Sequence, residues 1–306
     1  MPLVPFIELM AQAEHGGYAV GYFESWNFES LLAVADAAER MKSPVILGFS
    51  GLYVPSPARR VADPLAAYAA MASTVAQGLS IPTCVLFNES PYFSVVEDAV
   101  RLGFGLVMYT DEAIERRTLE ERTRGIVAHA HARGAAVEGE LRPLAGVGGE
   151  LSSASQDARF TNPEEAREFV ERTGIDALAV NVGQAHVHGR SFVRLDLDRV
   201  AELKDAVPVP LVLHGASSVD RDDLRAAIAR GIRKINIGSV LKQAYFGALR
   251  SACVARDETV NPYEVIGSGL DADVLVAGRV AMQETVEELI RRFGSAGRVA
   301  GRAEPR

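Results

Sequence analysis

Two histidines and a glutamate stand where they could share a metal ion. Glu89, His186 and His214 each follow a short apolar run. Two imidazoles and one carboxylate form an open, zinc-type donor set with room for water or substrate. The chain has only six His. His129 and His131 fall within a helical stretch and read as surface residues, and His15 lies in a loop. His188 reads either as a substrate contact or as a solvated loop residue. One His at such a position is ordinarily a hydrogen-bonded structural residue; two of them beside acids favour a metal. Small residues suggest a second chemistry. Gly215, Ser217 and Ser218 follow one run, and Asn236, Gly238 and Ser239 follow the next, just before a helical stretch. Backbone N–H groups at a helix N-terminus bind phosphate well. Gly/Ser loops are common, but the occurrence at two successive runs favours the anion reading. Glu24, Ser50, Asn88, Asp111, Glu112, Glu138, Glu140 and Gly183 stand at or near the ends of the other runs.

These residues are far apart in sequence, so the fold must gather the run ends. The apolar runs are 18–23, 44–49, 82–87, 104–109, 136–141, 176–182, 209–213 and 232–237. Stretches with helical spacing alternate with them, as in Leu31, Leu32, Val34, Ala35 and Ala38 on one face. The runs carry apolar residues on both faces, as strands of a parallel sheet covered on both sides should. Repeated strand–helix units predict a (β/α)8 TIM barrel, in which chemistry sits at the C-terminal ends of the strands. An open doubly wound sheet is the alternative, but the G-x-G-x-x-G turn it favours after the first strand is missing. A helix over 162–172 is well signalled by Thr161 or Asn162 as cap, Pro163 at its first position, and Glu164 and Glu165 in the first turn. No linker divides the chain. Residues 1–306 read as one α/β barrel domain with additional C-terminal helices beyond Asn261. The Gly- and Arg-rich stretch 294–306 reads as a flexible tail.

Composition narrows the function classes. With 48% hydrophobic and 24% charged residues, the chain has ample apolar material to fold. Cys84 and Cys253 are too few for a disulfide framework. The formal charge of -8 argues against a general nucleic-acid surface, while a local pocket can still be positive. No apolar stretch approaches the ~20 residues that span a bilayer. Residues 1–14 lack the basic and apolar segments of a signal peptide. A cytoplasmic protein with no membrane or nucleic-acid partner is expected. Trp26, the only Trp, is either a core or oligomer contact or a stacking surface for substrate.

Several stretches together resemble the class II, metal-dependent fructose-bisphosphate/tagatose-bisphosphate aldolase family. They are YAVGYFESWN (18–27), SPVILGFS (43–50), GFGLVM (103–108), AVEGEL (136–141), LAVNVGQAH (178–186), LVLHGASS (211–218) and GIRKINIGS (231–239). The resemblance implies a divalent metal, usually Zn2+, acting as a Lewis acid on the ketone side of a phosphorylated ketose. It implies a carboxylate that moves the proton of the hydroxyl destined to become the aldehyde. His186 and His214 match two metal ligands, and Glu140 matches an acid near the metal. Gly183, Gly215, Ser217, Asn236 and Ser239 are the substrate- or phosphate-binding candidates. A homodimer or homotetramer is also implied.

The chain departs from this pattern at the third strand. The family's His-x-Asp-His motif is here Leu86-Phe87-Asn88-Glu89. Glu89 replaces a ligand with another metal-competent group, so a His2Glu site is expected. Asn88 stands at the catalytic position of the proton-shuttling Asp, and an amide cannot exchange a proton near neutral pH. A replacement base must then come from Glu24, Asp111, Glu112 or Glu150. The family's Met-Ile-Asp-Gly-Ser is Met108-Tyr109-Thr110-Asp111-Glu112. The loop acids fall near Gly148-Gly149, and the Gly after the sixth-strand ligand is Val187, displaced to Gly189. A metal-dependent lyase acting on a phosphorylated ketose other than fructose 1,6-bisphosphate is the leading expectation. A sugar-phosphate isomerase or epimerase, and a non-catalytic sugar-phosphate binder, are the alternatives.

Overall fold

A computed structural model describes residues 3–141, 160–184, 193–254 and 260–299. Eight parallel strands close into a barrel in sequence order: β1 (Val20–Phe23), β2 (Val45–Ser50), β3 (Thr83–Ser90), β4 (Leu106–Tyr109), β5 (Ala136–Glu140), β6 (Ala177–Val180), β7 (Leu211–Leu213) and β8 (Ile232–Ile237). The seam pairs Gly21 with Ile235 and Tyr22 with Asn236. The helices are α1 (Phe6–Gly16), α2 (Phe28–Met41), α3 (Leu65–Gly78), α4 (Phe93–Arg101), α5 (Arg116–His131), α6 (Pro163–Thr173), α7 (Leu197–Ala206), α8 (Arg221–Ala229), α9 (Ser239–Val254), α10 (Pro262–Val265) and α11 (Val274–Phe293). The TIM barrel and the extra C-terminal helices read from the sequence are both present. No helix among the described residues is long and apolar enough to cross a membrane.

Local chemistry fixes where the helices begin. Asn27 accepts a hydrogen bond from the Ser30 N–H at 2.9 Å, and the Ser30 hydroxyl accepts one from the Asn27 N–H at 3.0 Å. This reciprocal capping box starts α2 directly after β1. Asn162 accepts from the N–H groups of Glu164 and Glu165, with Pro163 at the first helical position, as its sequence predicts.

Two apolar layers follow from strand alternation. Outward residues such as Phe23, Leu47, Phe87, Val137, Leu178 and Ile235 pack against the helices. Inward residues Val20, Ile46, Cys84, Leu106, Ala177 and Val212 fill the barrel's lower interior, where Phe6, Leu9, Met10 and Ala13 of α1 join them. The interior is therefore apolar at the bottom; its polar groups begin with Lys234, level with Val20 and Val212, and continue toward the strand C-termini. Close strand approach fixes one glycine: a Cβ on Gly48 would lie 1.9 Å from the Leu86 carbonyl oxygen.

Three features differ from the sequence reading. Helix α1 has no counterpart among the expected elements, although its buried positions 6, 9, 10 and 13 have helical spacing. Helix α7 was likewise not delimited. The expected flexible tail is corrected for residues 294–299. Ser295 is buried and bonded to Ser43 at 2.9 Å, and the N–H groups of Gly297 and Val299 reach the carbonyls of Met41 and Lys42. The small residues there fit against the end of α2. Residues 300–306 lie outside the described residues.

Candidate active site

A cavity of about 390 Å3 opens at the strand C-termini. Strand β3 enters it through an irregularity. Its register against β4 shifts between Phe87 and Ser90, and Glu89 adopts a left-handed backbone, φ 48°. That conformation costs a residue with a Cβ roughly 1–2 kcal/mol. The bulge puts Asn88 and Glu89, successive residues that a regular strand would send to opposite faces, at the same cavity.

His214, at the end of β7, is the hub. Its Nδ1 lies 2.8 Å from Glu89 Oε1 and its Nε2 lies 2.7 Å from Glu138 Oε1. Glu138 in turn pairs with the Lys234 ammonium at 2.7 Å. Lys234 donates to Asn236 Oδ1 at 2.5 Å, and the Asn236 amide nitrogen lies 2.9 Å from His214 Nε2 and 3.3 Å from Asn88 Oδ1. Asn88 completes the loop by donating to Glu89 Oε2 at 3.0 Å. Lys234 and Glu138 have fully buried side chains. These charges persist because they neutralise one another.

The proton positions follow from these neighbours. Burial alone would lower the His214 pKa, but Glu89 and Glu138 outweigh it and push it up to about 10. Burial would raise Glu138, but Lys234 and His214 hold it down at about 2. Burial lowers Lys234, against the pull of Glu138. Glu140 is the exception. Burial, with Glu89, Glu138 and Glu112 adding to it and His214 opposing, raises its carboxyl to about 8. Without other ligands, Glu140 is therefore a protonated acid at neutral pH beside an ionised array. It can donate a hydrogen bond or a proton where the other carboxylates only accept.

Asn88 and Glu89 fit each other. An Asp at 88 would place a second carboxylate against Glu89 at hydrogen-bond distance, whereas the amide donates to it. Asn88→Asp is expected to cost about 1–3 kcal/mol of stability, measured by urea unfolding. Glu89→Gln in the same chain should recover most of that loss. No recovery in the double variant would show that the two side chains are not coupled.

A divalent ion suits part of this donor set. Glu89 and the Nδ1 edge of His214 face each other, while Glu138 backs the other ring nitrogen, the arrangement that orients metal-ligating imidazoles. His186, the third expected ligand, lies outside the described residues, as do Glu150 and His188. Among the described residues, no group of three or more His, Cys, Asp or Glu side chains is placed to hold a metal ion.

The anion-type loops line the same cavity through Gly215, Ser217, Gly238 and Ser239. Gly215 adopts φ 64°, turning the chain into a short 3-10 turn at Ala216–Ser218, and α9 begins at Ser239. Gly183 is not among the cavity's lining residues. At φ 113°, it packs so closely that a Cβ would lie 2.9 Å from the Arg194 carbonyl oxygen. Its fit is to the backbone at Arg194.

Glu24, from the end of β1, lines the cavity and pairs with Lys242 on the first turn of α9. Burial raises its pKa, against the pull of Lys242. Gly238 makes room for it, since a Cβ there would lie 2.7 Å from Glu24 Oε2. Of the other suggested bases, Asp111 turns to the Tyr109 hydroxyl at 3.3 Å, and Glu112 is exposed. Sequence reasoning passed over Lys234 and did not single out Glu138. Their signal was available: each is a charged residue inside a strand-length run, two positions before a polar site residue on the same inward face.

Comparisons with known proteins agree with this scaffold. The family model described as fructose-bisphosphate aldolase class-II matches residues 4–298. A fructose-bisphosphate aldolase of Thermus caldophilus is 34% identical, over 97% of this chain and 99% of its own. One from Giardia intestinalis is 31% identical, over 97% and 94%. Among solved structures, the YdjI aldolase from Escherichia coli K12 is 30% identical with a TM-score of 0.79, covering 97% of this chain and 100% of that one. The Campylobacter jejuni fructose-bisphosphate aldolase, at 19% identity and a TM-score of 0.76, shares the fold over 97% of each chain. By sequence along nearly its whole length and by fold, the chain belongs to the class II fructose-bisphosphate aldolase family.

Proposed function

We propose that this protein is a divalent-metal-dependent aldolase that cleaves a phosphorylated ketose other than fructose 1,6-bisphosphate. Glu89, His186 and His214 would hold the ion, Zn2+. When bound, it would supply a Lewis acid for the ketone-side oxygens. Gly215, Ser217, Asn236 and Ser239 would hold the ketone-side phosphate through N–H and hydroxyl donors.

The single observation that carries the reading is Glu24. Among the described residues it is the carboxylate that lines the cavity yet belongs to neither the His214 cluster nor the outer surface. It would accept the proton of the hydroxyl on the carbon that becomes the aldehyde. As that proton leaves, the C–O bond becomes a carbonyl, the neighbouring C–C bond breaks, and its electron pair passes into the enediolate of the ketone half. Proton return to the enediolate carbon completes the ketone phosphate. Glu140, whose carboxyl is raised by burial, would serve as the acid near the metal that the family likeness suggests. A homodimer or homotetramer is proposed from the family likeness, to be checked by light scattering of the purified protein.

The test is aldehyde release from a panel of ketose phosphates, with and without a chelator. Chelator-sensitive cleavage of at least one, with fructose 1,6-bisphosphate a poor substrate, is expected. Solvent deuterium entering the substrate without aldehyde release would instead favour an isomerase or epimerase. Glu24→Gln is expected to lower kcat by about 10²-fold or more with a smaller change in KM. A kcat within a few-fold of the parent would remove Glu24 from the role.

A further inference from the structure

A second cavity, of about 480 Å3, opens beside the first and shares Glu24, Ser50, Tyr53 and Lys242 with it. Its walls are aromatic. Trp26 packs edge-on against Tyr245 at 5.5 Å between centroids, and Tyr53 and Tyr68 stand across from it. Two cations reach this chamber, and both are already engaged. Lys242 is paired with Glu24 and lies 5.6 Å from the Trp26 ring and 4.7 Å from the Tyr53 ring. Arg59 donates to the carbonyls of Val61 and Val54 and to the Tyr68 hydroxyl, and is paired with Asp63.

Each positive charge is thus offset by a carboxylate beside it. Aromatic faces suit the C–H surface of a sugar chain, and Glu24 and Ser50 offer acceptors for its hydroxyls. A phosphate entering here would meet the Glu24 charge and two cations whose partners it must displace. Glu24 lies where the two cavities join. The bond broken under the aldolase reading would therefore lie at that junction, with the ketone half toward Ser217 and Ser239 and the aldehyde half toward Trp26 and Tyr53.

We infer that the substrate is a ketose with a single phosphate on its ketone side, and that the second chamber receives an uncharged polyhydroxylated aldehyde half. The inference rests on the aldolase reading above and specifies its substrate class. Asp63 sets the preference by neutralising Arg59, and Gly238 does so by leaving space for Glu24.

The reaction can be run as condensation, with zinc-supplemented enzyme and dihydroxyacetone phosphate. The second reactant is glyceraldehyde or erythrose, in both enantiomers, compared with its terminal phosphate ester. At least about tenfold higher kcat/KM is expected for the uncharged aldehyde. Tyr53→Ala should raise KM for that aldehyde by about tenfold. Asp63→Asn, which frees charge on Arg59, should narrow the preference by about threefold or more. Preference for the phosphate esters, or an unaltered preference in Asp63→Asn, overturns the proposal. Solvent deuterium entering dihydroxyacetone phosphate with no aldehyde accepted would show that the ketone half is bound and enolised, and overturns the chamber assignment alone. Neither exchange nor condensation overturns both.

Discussion

Lys234→Met is expected to destabilise the protein by about 3–5 kcal/mol, the loss typical when one partner of a buried ion pair is removed. The ammonium is fully buried, 2.7 Å from Glu138, and 5.4 Å from the centre of the Tyr22 ring. Methionine keeps the length and loses the charge. Glu138 is then left with His214 as its only cationic neighbour, and Asn236 loses its 2.5 Å donor. Because the carboxylate cannot be rehydrated at the centre of a filled barrel, the cost falls on the folded state. Adding Glu138→Gln should restore more than half of the loss, since a neutral pair of similar volume needs no counter-charge. Urea denaturation of the parent, both single variants and the double variant measures this directly. A loss below about 1 kcal/mol in Lys234→Met would mean that water or a rearranged partner already serves Glu138.

His214→Ala is the second large effect. Cleavage of any accepted ketose phosphate should fall by about 10³-fold or more. That is the scale set by losing a Lewis acid worth several kcal/mol. Bound metal, measured by elemental analysis, should fall with it. The variant also removes the imidazolium that Glu89 and Glu138 share, so its fold must be verified by circular dichroism before its rate is read. Glu138→Gln is the informative companion. It leaves all three proposed ligands in place and removes the carboxylate that orients the ring, for which a loss of about 10–100-fold is expected. If His214→Ala keeps its metal and its rate to within tenfold, the ion is held elsewhere.

The barrel was legible because its signal repeats: eight apolar runs with helical stretches between them constrain one another even where single boundaries are off by one to two residues, as at β1 and β7. The anion-type loops were legible for the same reason, through small residues at two successive strand ends. The link between Asn88 and Glu89 was not. Alternation in a strand puts neighbours on opposite faces, and only the bulge and the left-handed backbone at Glu89 reverse that. The Glu138–Lys234 pair was hidden by a different cause. Its members are 96 residues apart in sequence (234 − 138), and a charge in an apolar run gives no hint of its partner. The role of Glu24 depends on the space that Gly238 leaves, a relation between β1 and the end of β8 that spacing cannot express.

The seam has a consequence for how the chain is made. Strand β1 leaves the ribosome well before β8, yet one of its edges is completed only by β8. The outer face of β1 is covered later still: Phe23 stacks on Phe293 of α11 at 5.9 Å, and α11 packs between α9 and α2. Until about residue 293 has emerged, an unpaired strand edge and an apolar strip on α2 stay exposed. Contacts between segments this far apart in sequence form slowly, and partly made chains of this kind associate readily. Fragments that stop before α11 should therefore aggregate rather than fold, which ties closure of the barrel to the arrival of α11.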